Sequence, residues 1–181
     1  LTAQCGGGTC LAGACIGGAA QIASNDFAHD IFGASILVGA DDVGKCQEKV
    51  FLQASKAIGS VWKKLAQCKK KEFDSIANDA DLATVCFNAL ATDPKGQFVK
   101  MEPKILTEAT KCEDSGVTPV ASQFPGICST AASPAAFATC VTNQARCRFC
   151  QGVLVADDVD PGAIDCDVFD DTVVNASCDA P

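Results

Sequence analysis

The chain has 181 residues, 13 of them cysteine, with a formal net charge of -8, ten Phe, one Trp, one His and no Tyr. At about 7% the cysteine content approaches that of disulfide scaffolds and far exceeds what a reducing cytosol leaves unpaired. A single His excludes multi-His metal hydrolysis, no CxxCH is present for haem attachment, and few aromatics are on hand to stack nucleic-acid bases.

Residues 1–42 read as a Gly/Cys-rich arm, in which GGGTC, AGAC and IGGAA leave little bulk to bury. The first residue, Leu1, is not an initiator Met, so a mature chain with its secretion signal removed is expected. The apolar run Ile31-Phe32-Gly33-Ala34-Ser35-Ile36-Leu37-Val38 is bounded by acids and predicts a β-strand. Ile31, Phe32, Ile36, Leu37 and Val38 are the candidate assembly residues of this arm. Two readings stay open: the strand pairs within its own subunit, or it adds to the edge of a neighbour.

Residues 43–181 read as a second unit, mainly α-helical and closed by an acidic, loop-rich tail. Between Asp41 and Lys71, Val43, Cys46, Val50, Ala54, Ala57, Val61, Leu65 and Cys68 recur at spacings of three and four. Lysines fill the opposite face, and an acidic start with a basic finish suits the helix dipole, so an amphipathic helix of about 25 residues is expected. A short helical piece is predicted around Leu82–Leu90. A second long helix follows near Gln97–Cys112, where Pro103 imposes either a kink or a start at Glu102. A third runs from Ser133 or Pro134 to Gly152, and Val153–Pro181 reads as loop.

Helix length constrains the cysteines. Cys46 and Cys68 lie on one helix about 33 Å apart by its rise and cannot bond each other. An antiparallel return of the second long helix brings Cys112 level with Cys46 and leaves Cys86 for Cys68, two staples on a helical hairpin. Cys5, Cys10, Cys15, Cys128, Cys140, Cys147, Cys150, Cys166 and Cys178 are expected in disulfides with no partner assignable. The odd total leaves one thiol over within a single chain. Cys147-Arg148-Phe149-Cys150 is a CxxC. A redox dithiol wants a βαβ context and a zinc site wants reduced thiolates, so structural disulfides are the favoured reading.

Charge is unevenly spread. Residues 1–44 carry four acids and no base, residues 45–148 carry all 14 bases against ten acids, and residues 149–181 carry eight Asp and no base. This pattern can steer the tail of one molecule to the middle of the next. The lysine stretch 63–71 lacks interleaved aromatics, so nucleic acid is not expected. The charge-free stretches Leu1–Asn25 and Ser115–Ala145 are broken by Gly and by Pro respectively, so no membrane span is expected.

Other chemistry is weakly signalled. Asp160, Asp165, Asp167, Asp170 and Asp171 form the candidate calcium set, although the spacing departs from the EF-hand pattern and the tail holds no Glu. A solvated acidic loop is the favoured reading, and no other cofactor is expected. His29, between Asp26 and Asp30, is a poor triad member in such an arm. Asn175-Ala176-Ser177 is a glycosylation sequon, and GGGTC lacks the Lys-Ser/Thr of a phosphate loop.

Several motifs occur together: Lys45-Cys46-Gln47, Gln67-Cys68, Thr110-Lys111-Cys112, Phe124-Pro125-Gly126-Ile127-Cys128, Cys147-x-x-Cys150 and Asp165-Cys166-Asp167-Val168-Phe169-Asp170-Asp171. From about residue 45 to 178 the chain resembles a family of Cys-rich modules of exported bacterial proteins, largely without assigned function. The resemblance implies an extracellular scaffold module and supplies no catalytic residues. With it, the sequence leads to the expectation of a non-enzymatic structural protein of the bacterial cell surface, a self-assembling filament or surface-layer subunit whose partner is itself. The alternative is a secreted binding module that takes calcium or a small ligand through the acidic tail.

Overall fold

The computed structural model describes residues 2–5, 8–11, 23–33, 41–91, 93, 95–159 and 166, the first two stretches by their backbone alone. The described residues are mainly helical. Near the N-terminus, β1 (Thr2–Cys5) and β2 (Gly8–Leu11) pair antiparallel, Thr2 opposite Leu11 and Cys5 opposite Gly8.

Helix α1 covers residues 23–32. This differs from the strand expected over Ile31 and Phe32. Ala23, Phe27, Ala28, Ile31 and Phe32 are all buried, and their spacing of four, one, three and one places them on one helical face. The continuous apolar run hid that periodicity, because its second half extends it beyond the helix. Ile36, Leu37 and Val38 lie outside the described residues. With Ile31 and Phe32 in the core, this part of the arm belongs to the helical body.

Helix α2 is Asp42–Lys71. Asp41 caps it by accepting from the Gly44 N–H at 2.8 Å, and three lysines close its last turn. Its buried stripe includes Cys46, Val50, Ala54, Ile58, Val61 and Leu65. A broken helix follows, α3 (Asp79–Leu82), a π-helical turn over Ala83–Phe87 and α4 (Asn88–Ala91). Helix α5 is Met101–Asp114, with Pro103 in its first turn, where the missing N–H has no intrahelical partner to lose. Helix α6 is Pro134–Asp157, capped by Ser133 and starting with Pro134. It runs five residues past the stop expected at Gly152, which is buried within it.

The three long helices pack on one another. Trp62 on Phe149 and Lys69 bonded to Asp157 show that α2 and α6 run parallel. The Cys46–Cys112 bond joins the start of α2 to the end of α5, which runs the other way. Rings fill the core in two groups. At one end Phe27, Phe32, Phe51, Phe124 and Phe137 meet, with centroids 4.7–5.7 Å apart. At the other Trp62, Phe87 and Phe98 surround Phe149 at 5.4–6.1 Å. Such tilted and offset pairs add to the area they bury.

Candidate functional site

Covalent cross-links dominate the chemistry of the described residues. Cys46 bonds Cys112 and Cys68 bonds Cys86, the two staples inferred from helix length. Cys128 bonds Cys140, tying the turn before α6 to its second turn, and Cys150 bonds Cys166. Cys147 is also disulfide-bonded, to a partner other than Cys150. The CxxC therefore belongs to two separate cross-links and is no vicinal dithiol. No free thiol is present among the residues whose side chains are described. Cys5, Cys10, Cys15 and Cys178 lie outside that set.

A second arrangement fastens α1. The Arg148 guanidinium on α6 grips the Asp30 carboxylate in a two-point pair, Nε to Oδ2 at 2.6 Å and Nη2 to Oδ1 at 2.7 Å, and reaches Gln151 with Nη1. Both partners are largely buried, which demands such pairing. The Gly126 N–H donates to the Ile31 carbonyl at 3.1 Å, and the backbones come so close that a Cβ on Gly126 would stand 1.9 Å from the Asp30 carbonyl oxygen. The Phe-Pro-Gly of the sequence motif is thus a seat for the end of α1. Nothing in the local sequence announces the Asp30–Arg148 pair, whose members lie 118 positions apart.

Beside the Cys68–Cys86 bond is a cavity of about 180 Å³, lined by Val61, Lys64, Leu90, Asp93, Lys95 and the disulfide itself. The loop at its edge is organised by Asp93. Its carboxylate accepts from the N–H groups of Gln97 at 2.5 Å and of Phe98 and Val99 at 3.0 Å each, and its backbone takes a left-handed φ of 44°. Asp tolerates that conformation better than most residues.

The other sequence candidates are not assembled into a site. Asp160, Asp165, Asp167, Asp170 and Asp171 lie outside the described residues. Among the described residues no group of three or more His, Cys, Asp and Glu is arranged to hold a metal, and no helix is long and apolar enough to cross a membrane. His29 is exposed, with Nδ1 3.3 Å from the Gly33 carbonyl oxygen, while neighbouring Asp30 faces Arg148 instead. Comparison with family models, curated proteins and solved structures finds no match for the chain.

Proposed function

We propose that the protein is a secreted structural subunit of the bacterial cell surface, a disulfide-braced helical body that assembles with copies of itself into a filament or layer. Cysteine parity carries the reading. All nine cysteines whose side chains are described are bonded, eight in four pairs among themselves and Cys147 to a tenth. That tenth comes from Cys5, Cys10, Cys15 or Cys178, and the other three cannot all pair with one another. A thiol left over in an oxidising compartment is available to a second subunit. Four bonds in a helical body also suit a part that holds its shape outside the cell. The acid-rich ends and the base-rich middle give successive copies opposite charges to present. A contact that joins different surfaces of two copies propagates into an open polymer when its rotation does not close. The bacterial setting rests on the motif resemblance from Lys45 to Cys178.

Non-reducing and reducing gels beside negative-stain images test this. The expected result is a ladder of covalent multimers that collapses on reduction, with ordered fibres or sheets in the images. A single monomer band under both conditions, one titratable thiol per chain and discrete particles at high concentration would overturn it.

A further inference from the structure

The cavity between the second half of α2 and the broken helix belongs neither to the assembly reading nor to the acidic tail. Its floor is apolar: Val61 of α2, Leu90 of α4 and the polarisable sulfurs of Cys68–Cys86. Its two cationic lining residues are Lys64, half-buried, and Lys95, exposed. Neither lysine is ion-paired among the described residues; Lys64 Nζ reaches only the neutral Gln67 amide oxygen, at 3.3 Å. The one acid in the lining, Asp93, has both oxygens committed to backbone N–H groups of its own loop. With two lysines against one carboxylate turned to its own loop, the chamber combines an apolar interior with a net positive lining.

We propose that this chamber binds a small amphipathic carboxylate, a free aliphatic or aromatic acid whose tail lies on Val61, Leu90 and the disulfide and whose carboxylate meets Lys64 and Lys95. A dry apolar cavity of about 150 Å³ accommodates a benzene ring, so about 180 Å³ suits a tail of about six to eight carbons. The lysines select the anion, because an acid and an alcohol of one length bury the same tail and differ in the head alone.

Octanoate and octanol, titrated calorimetrically into the full-length oxidised protein, are the probes. The expected result is saturable one-to-one binding of octanoate, at least tenfold tighter than octanol. K64Q/K95Q lowers octanoate affinity at least tenfold and leaves octanol unchanged. L90W, which fills the chamber, abolishes both in a protein with an unaltered circular dichroism spectrum. Should L90W not fold, the lysine variant decides alone, since Lys64 is only half-buried and Lys95 is exposed. No saturable binding of octanoate, equal affinity for acid and alcohol, or octanoate binding indifferent to K64Q/K95Q each overturns the proposal. None of these outcomes bears on whether the protein polymerises.

Discussion

A side chain at position 126 has nowhere to go, because its first carbon would overlap the backbone of α1 rather than a movable side chain. Gly126→Ala is expected to cost about 3 kcal/mol, a fall of roughly 10 °C in Tm by thermal unfolding. Gly59 is the internal contrast, exposed in the middle of α2 with nothing within 4 Å of a built Cβ. Gly59→Ala is expected to raise stability by about 0.5–1 kcal/mol in the same experiment, through helix propensity alone. Asp30 and Arg148 follow a different rule. Asp30→Ala takes the two-point carboxylate from a largely buried guanidinium and is expected to cost about 3 kcal/mol in urea unfolding, whereas D30A/R148M recovers a large part of it. The roles of Gly126, Asp30 and Arg148 were not legible in the sequence. A close backbone approach and a long-range ion pair leave no local periodicity, and Gly126 stands in the sequence only as one member of the Phe124-Pro125-Gly126-Ile127-Cys128 motif.

Elements were legible where side-chain bulk repeats along a helix. The starts of α2 and α5 and the packed stripe of α2 follow from spacing, caps and Pro103. Helix α1 was missed because two of its five buried apolar positions are Ala, which adds little to a periodic signal, and because the neighbouring apolar run imitates a strand. The end of α6 was placed early because Gly152 reads as a stop. The helix instead stops at Asp158, whose left-handed backbone, φ 52°, lets the next residue's N–H bond the Leu154 carbonyl. The two 3-10 turns over Val120–Gln123 and Ile127–Thr130 carry no recurring pattern, so the Cys128–Cys140 pairing had no register from which to be counted. At the entrance to α5, one residue organises the loop. Asp93→Ala removes the acceptor for three N–H groups and is expected to destabilise by about 1–2 kcal/mol. Asp93→Asn, which keeps one carbonyl oxygen and tolerates the left-handed backbone, is expected to lose less. Faster amide hydrogen exchange at Gln97, Phe98 and Val99 in D93A reads the local part of that loss.

At the scale of the molecule, the cross-links differ in what they restrain. Cys46–Cys112 closes 66 residues and Cys128–Cys140 closes 12, so chain entropy assigns the first about 4 kcal/mol and the second about 3 kcal/mol. Unfolding of C46A/C112A and C128A/C140A in denaturant is expected to follow that order, and a reversed order would mean that native-state relaxation outweighs loop closure. The Cys68–Cys86 loop lies wholly inside the Cys46–Cys112 loop. A mechanical load entering at residue 45 and leaving at residue 113 therefore crosses from α2 to α5 through a single covalent bond, and everything between stays slack. About 220 Å of extensible chain, 66 residues at roughly 3.3 Å each, is withheld from stretching while that bond is oxidised. Reduction of this bond together with the nested Cys68–Cys86 bond lets this length unfold under load, so a fibre of the proposed kind would be stiff under tension and would lengthen on exposure to thiols.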